Sequence, residues 1–253
     1  MHKRHLTLIL AIMAAIFFAV PANAETLKSL QPLIDAAKPG DTVSPPAGVY
    51  QGNLKITKPL TLDGRGEVTL DAGGEGSVIL LHTDGATLRG LHLKNSGDQH
   101  NDIDSGVQVR GNFNVIKDNV IEDILFGIEL QQSNGNIIRR NDIGSKAFDL
   151  GVRGDGIRLW YSKDNKIEEN KISNSRDLVV WYSSDNTIRK NELRNGRYGL
   201  HFMYALYNLV EDNLIVGNSV GAFLMYSDSI VIKNNRFSHG TGNTGMGIGM
   251  KES

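Results

Sequence analysis

Four of the six methionines, Met203, Met225, Met246 and Met250, fall in the last 53 residues of a 253-residue chain, together with His201 and His239. The chain has no cysteine. Disulfides, thiol nucleophiles, iron–sulfur clusters and thiolate metal sites are therefore excluded, and a soft-metal site has to be built from thioether and imidazole. His201 and Met203 are two residues apart, so on a strand they project to the same side. One imidazole with the thioethers of Met203 and Met225 is a donor set suited to Cu(I). His239, Met246 and Met250 are the additional candidates. The same methionines could equally be adaptable apolar contacts for a protein partner, or incidental packing, and residue types alone leave these readings open. His82 and His92 lie on early strands and are read as structural.

Aligning four similar segments extends this face. With Ile157, Leu178, Leu200 and Ala222 equivalent, the next outward position holds Arg158, Val179, His201 and Phe223. Two residues on it holds Trp160, Trp181, Met203 and Met225, and the adjoining column holds Tyr161, Tyr182, Tyr204 and Tyr226. An exposed aromatic and thioether stripe of this length is unexpected for a soluble monomer, and Trp160, Trp181 and Phe223 are read as a partner-docking face. A rival reading is a polysaccharide-acting enzyme, a uronate lyase, hydrolase or epimerase. It would use Asp98, Asp102, Asp104 and Asp155 as acids, Arg110 or Arg158 against uronate carboxylates, and the tryptophans against sugar rings. Acid–base chemistry needs paired groups at fixed geometry. Most of these acids sit in Gly/Asn/Asp-rich loops, where turn formation accounts for them. A purely structural or adhesive solenoid is the third possibility, and the localised stripe argues against it.

The elements that carry these residues repeat. The motif N-x-Φ-x-x-N, where Φ is apolar, occurs from Asn114 to Asn119, Asn136 to Asn141, Asn165 to Asn170, Asn186 to Asn191 and Asn208 to Asn213. A last copy keeps only Asn235. The second asparagines step by 22, 29, 21, 22 and 22 residues. A second motif, G-Φ-x-Φ, begins at Gly106, Gly127, Gly156, Gly199 and Gly221, with Asp177-Leu-Val-Val as a variant. Ile116, Ile138, Ile167, Ile188, Val210 and Ile232 form one apolar column; Ile121, Ile143, Ile172, Leu193, Ile215 and Phe237 form another. Short alternating segments at a period of about 22 predict an all-β fold, a right-handed parallel β-helix with one turn per repeat. The asparagines are expected to form an internal ladder at a tight turn. The outward residues Lys117, Arg139, Glu168, Arg189, Glu211 and Lys233 are expected to form cross-strand ion pairs.

The amphipathic stretch from Leu27 to Lys38 predicts a helix covering the first turn. Longer gaps place loops near 94–105, 144–155 and 238–246 at one corner, as walls of a groove beside the unusual face. Residues 1–24 read as a secretory signal peptide: a basic start, an apolar run from Leu6 to Val20, and cleavage after Ala24. The β-helix is then assigned to residues 25–253. Removing the leader leaves 25 basic and 28 acidic residues, which offers no footprint for nucleic acid. The chain stops at Ser253 just after a strand at Gly247–Met250, so the sequence reads as part of a longer protein.

With these residues in view, the stretch 25–253 resembles the NosD family, the periplasmic copper-processing β-helix proteins of nitrous oxide reductase maturation. The segments that carry the resemblance are Asp155-Gly-Ile-Arg-Leu-Trp160, Arg197-Tyr-Gly-Leu-His-Phe-Met-Tyr204, Gly221-Ala-Phe-Leu-Met-Tyr226 and Met246-Gly-Ile-Gly-Met-Lys251. The resemblance implies a non-enzymatic protein on the periplasmic side of an ABC-type transporter with membrane and ATPase subunits. It also implies Cu(I) received from a membrane-anchored copper chaperone, and a role in assembling the copper–sulfur centre of nitrous oxide reductase. It strengthens His201, Met203 and Met225 as copper ligands. Family chains are longer than 253 residues.

Overall fold

In a computed structural model the chain is a right-handed parallel β-helix, described for residues 27–241, 243 and 245–253. The signal peptide and its cleavage after Ala24 lie outside the described residues. Among the described residues, one face is a nine-stranded parallel sheet. It runs from Leu54–Ile56 through Ile79–Leu81, Ser105–Val109, Phe126–Gln131, Ile157–Trp160, Asp177–Trp181, Tyr198–Met203 and Val220–Met225 to Met246–Lys251. The other sheet takes two short strands from each turn, such as Ile137–Arg139 and Asp142–Ser145. No helix among the described residues is long and apolar enough to cross a membrane.

Register stacks like on like. Ile116, Ile138, Ile167, Ile188, Val210 and Ile232 are successive partners, as are Ile121, Ile143, Ile172, Leu193, Ile215 and Phe237. Most of these side chains are fully buried. A third column, Val109, Leu130, Leu159, Val180, Phe202 and Leu224, fills the interior from the nine-stranded face. The expected ion pairs on the outer column form between Glu168 and Arg189 (3.0 Å) and between Glu211 and Lys233 (2.9 Å).

The corner between the two short strands is held by asparagine amides. Asn170 shows the pattern. Its Oδ1 accepts from the backbone N–H and the Nδ2 of Asn141, both at 3.0 Å. Its Nδ2 donates to the Ile138 carbonyl (2.9 Å) and to Asn191 Oδ1 (3.0 Å). The same amide-to-amide step joins Asn119, Asn141, Asn170, Asn191, Asn213 and Asn235. A second ladder joins Asn136, Asn165, Asn186 and Asn208. The turn strain lies one residue earlier. Asp118, Arg140, Glu169, Lys190, Asp212 and Asn234 all have φ between 52° and 57°, a left-handed conformation that costs L residues about 1–2 kcal/mol each. Serines repeat the arrangement at a further corner, where the Ser133 N–H donates to Ser162 Oγ and the Ser162 N–H to Ser183 Oγ.

The N-terminal helix is shorter than the sequence pattern predicts. It spans Gln31–Ala36, behind a two-residue strand, Lys28–Ser29. Leu30 and Ile34 enter the core as expected, whereas Leu33 is exposed, because six residues present only one narrow apolar stripe. Gln31 caps the open edge of the first strand: its Oε1 accepts from the Lys55 N–H (2.9 Å) and its Nε2 donates to the Lys55 carbonyl (3.0 Å). Lys58 in turn donates to the carbonyls of Asp35 and Ala37 at the helix C-terminus.

Replacing Asn170 by alanine removes acceptors and donors from two neighbouring turns at once. With about 1–3 kcal/mol for each buried polar group left unpaired, the variant should lose about 3 kcal/mol of stability or more. The exposed neighbour variant Lys171→Ala should stay within about 0.5 kcal/mol of wild type. Denaturant midpoints of the two variants check this; equal midpoints would refute the ladder as a major source of stability.

Candidate functional site

The outward side of the nine-stranded face carries the residues singled out by chemistry. Gln131, Trp160, Trp181, Met203 and Met225 are successive register partners, and so are Glu129, Arg158, Val179, His201 and Phe223. The expected column of methionines above tryptophans is therefore a physical row. The tyrosines form a row beside it. Tyr161, Tyr182, Tyr204 and Tyr226 stack at 4.9 Å with interplanar angles of 10° or less, which matches the spacing of adjacent strands. Lys251 closes the stack, its Nζ 5.3 Å from the Tyr226 ring centre.

His201 points outward from the core but is covered, with only 6% of its surface exposed. Tyr198 meets it edge-on at 4.9 Å, and Phe223 stacks on Tyr198 at 5.2 Å and also lies edge-on to the imidazole. Its two ring nitrogens have different partners. Nδ1 lies 3.1 Å from Asp177 Oδ2, and Nε2 lies 3.4 Å from Met225 Sδ. Burial works against charge on Asp177. Hydrogen bonds from His201, Arg197 and the Tyr198 N–H outweigh it and hold the carboxyl below the usual carboxylate range. An ionised carboxylate only accepts hydrogen bonds, so Nδ1 carries a proton and Nε2 is the nitrogen that faces the Met225 sulfur. Imidazole nitrogen and thioether sulfur at this separation can serve one soft cation, and the carboxylate orients the imidazole from behind. Met203, half-buried, is the register partner of Met225.

Asp177 is the residue that sequence reasoning passed over as a motif variant. It stands where the other copies have glycine, and there is a reason for those glycines. A Cβ on Gly127 would lie 2.0 Å from the Gly156 carbonyl oxygen and 2.7 Å from Ile143 Cγ2. A side chain at this position needs the next turn to give way, and the register between Asp177–Trp181 and Tyr198–Met203 does shift after Asp177. The break in the glycine column was the available signal.

The remaining candidates divide. His239 and Met246 line a separate pocket of about 220 Å³ with Phe237. Met250 is paired with Leu224, so it continues the inward column and lies on the opposite side of its strand from the Met225 row. Trp160 and Trp181 border a groove of about 490 Å³ with Arg110, Gln131 and Arg158, walled by residues 101–103. This is the wall expected from the first insertion. The second insertion carries a short 3-10 turn, Leu150–Val152.

Two of the four acids of the rival enzymatic reading, Asp104 and Asp155, are engaged elsewhere, whereas Asp102 is exposed at the groove. Asp104 is buried and accepts from the Gln99 N–H (2.9 Å). Asp155 is buried against Arg176 at 3.1 Å. Burial, with the nearby Asp177 charge, raises its carboxyl to about 6 despite Arg176 and Arg158. Glu129, fully buried, is paired with Arg110, and burial raises its carboxyl too.

Residues 141–253, which hold every candidate ligand above, match the family described as "Periplasmic copper-binding protein (NosD)". Over this stretch the chain is similar to the NosD family. Residues 67–180 match the right-handed β-helix region. A protein of Pseudomonas aeruginosa named "Probable ABC transporter binding protein NosD" is 34% identical over 134 residues, covering 52% of this chain and 31% of that protein. Its namesake in Stutzerimonas stutzeri is 28% identical over 138 residues with the same coverage. The alignments thus span about a third of these curated relatives. Among solved structures, an alginate lyase from Paenibacillus sp. str. FPU-7 superposes with a TM-score of 0.63 at 15% identity, over 88% of this chain and 96% of that one. That likeness is one of fold.

The raised Asp155 carboxyl has a defined sign in stability. The native state holds the proton more tightly than the unfolded chain, whose carboxyl titrates near 3.8. The contribution of Asp155 is present below the unfolded value and is lost as pH rises through about 6. Lowering the pH from about 7 to about 5 should therefore raise wild-type stability relative to Asp155→Asn. Thermal unfolding of both at the two pH values checks it; a pH-independent difference would mean that the carboxyl ionises normally.

Proposed function

We propose that this chain is the β-helical part of a periplasmic, non-catalytic accessory protein that holds Cu(I) in transit. In this reading it works beside an ABC-type transporter with membrane and ATPase subunits. It receives the ion from a membrane-anchored copper chaperone and serves assembly of the copper–sulfur centre of nitrous oxide reductase. The observation that carries the reading is His201 Nε2 facing Met225 Sδ at 3.4 Å, with Asp177 behind the imidazole. A carboxylate-oriented imidazole beside thioethers, in a chain without cysteine, favours a soft monovalent ion over Zn(II). The family description as copper-binding and periplasmic supports it, as do the transporter-associated names of the relatives. The aromatic covering suits transient holding: Phe223 and Tyr198 exclude water from His201, and the half-buried Met225 and Met203 offer sulfur on the accessible side. The Trp160, Trp181 and Phe223 side of the row is the docking face for a donor or acceptor of the ion. His239 and Met246 form a second, lesser candidate site. A non-catalytic role accords with the buried carboxylates: Glu129, Asp155 and Asp177 are each tied to an arginine.

Competition titration with a Cu(I) chelator tests the site. His201→Ala and Met225→Ala should each weaken Cu(I) binding by about tenfold or more. Asp177→Asn, which leaves the ligands in place, should weaken it by about 10- to 100-fold as outer partners of metal-bound histidines do. Unchanged affinity in folded His201→Ala and Met225→Ala proteins would move the site elsewhere. In a host lacking the full-length protein, nitrous oxide reductase should be exported without its copper–sulfur centre; complete metallation in that host would defeat the assembly role.

A further inference from the structure

The groove beside the Trp160–Trp181 row contains a cation that forms no salt bridge among the described residues. Four arginines lie along this face, and three have carboxylate partners: Arg110 with Glu129, Arg176 with Asp155 and Arg197 with Asp177. Arg158 has no carboxylate within salt-bridge distance among the described residues. Its guanidinium instead lies 5.5 Å from the Trp181 ring centre and 5.9 Å from that of Phe126, and its buried Nε has no hydrogen-bond partner. Glu129, its register partner, gives one oxygen to Arg110 and leaves the other unpaired, and Glu129 and Asp155 act on Arg158 only beyond salt-bridge distance. A half-buried guanidinium held between two rings, with no salt bridge of its own, is a preformed receptor for a planar anion, because its donor fork matches a carboxylate.

The rest of the groove selects among anions. Its volume of about 490 Å³ is that of a small-molecule site. Trp160 lines one side and supplies an apolar ring surface, while Gln131 and the exposed Asp102 supply an amide and a hydroxyl acceptor. The wall bearing Asp102 is held in place, since Gln108 Nε2 donates to the carbonyls of both Asp102 (2.8 Å) and Ile103 (2.9 Å). A simple inorganic anion would leave the tryptophan surface unused, and a neutral sugar would leave Arg158 unpaired.

We propose that this groove binds an acidic sugar residue: its carboxylate pairs with Arg158, its ring lies on Trp160, and its hydroxyls reach Asp102 and Gln131. The site is one of binding and involves no bond cleavage. It is independent of copper, lying on the same row one to two turns before Met203 and Met225. An extended acidic glycan seated there would run past the methionines, so the groove would anchor the protein at a carboxylated polysaccharide surface while leaving His201 free.

The chain supplies its own probe, since its only two tryptophans, Trp160 and Trp181, both border the groove. Intrinsic fluorescence of the full chain without copper should change saturably with mannuronate or galacturonate oligomers. Neutral oligosaccharides of the same length, and inorganic phosphate, should give no saturable change at equal concentration. Arg158→Gln should weaken uronate binding by about tenfold or more, the expectation for loss of a charged hydrogen bond of about 1.5–3 kcal/mol. Arg158→Lys, which keeps the charge but not the fork, should fall between; circular dichroism confirms that both are folded. Equal response to neutral sugars, equal response to phosphate, no response to any uronate, or unchanged affinity in Arg158→Gln would each overturn the proposal. Because the readout needs no copper, failure here leaves the copper site untested, and loss of Cu(I) binding in His201→Ala leaves the groove intact.

Discussion

Each turn of this chain lies one strand spacing from the next, and the buried asparagine amides enforce that spacing. An amide in the ladder accepts from the backbone of one turn and donates to a carbonyl and to the next amide, so it satisfies polar groups that burial would otherwise leave unpaired. It also holds the left-handed residue before it, which is charged or polar at every copy of the ladder corner. A corner that costs backbone energy is thus made regular by a side chain one position later. Once the corners repeat, every other column follows: isoleucine over isoleucine inside, tyrosine over tyrosine outside.

That regularity gives local exceptions their meaning. In a column of glycines, where a Cβ would strike the neighbouring turn, Asp177 shifts the register and brings a carboxylate under His201. The charge is buried, yet Arg197, the Tyr198 N–H and His201 satisfy it together, which is the condition for a buried ion to be tolerated. Asp155 lies near the same group of charges with fewer donors, and the excess burial shows in its raised carboxyl. The face therefore changes character along its length: a guanidinium between aromatic rings at one end, an imidazole beside sulfur at the other.

The aromatic rows have separate consequences. The tyrosine stack is a geometric product of the turn spacing and needs no ligand to explain it. The tryptophans have a less uniform environment, because Arg158 reaches over Trp181 from the neighbouring row beside a concavity walled by the first insertion. Phe223 and Tyr198 close over His201, so the covered imidazole and the tryptophan groove are adjacent parts of one face without being identical.

The sequence by itself determined the fold, its period and the order of side chains along the face, because a strand alternates with period two and a solenoid repeats at constant length. His201, Met203 and Met225 could be assigned to one side from spacing alone, and the row of Trp160 and Trp181 beneath them from the same alignment. Tertiary structure decided what each side chain meets. It turned the imidazole toward Met225, covered it with Phe223 and Tyr198, set Met250 in register with the inward column yet exposed at the last turn, and left Arg158 without a salt bridge among the described residues. Those outcomes depend on side-chain direction and on a one-residue register shift at Asp177. Neither follows from a repeat whose copies differ at the positions that matter, since periodicity reports what neighbouring turns share and the site is built from the places where they differ.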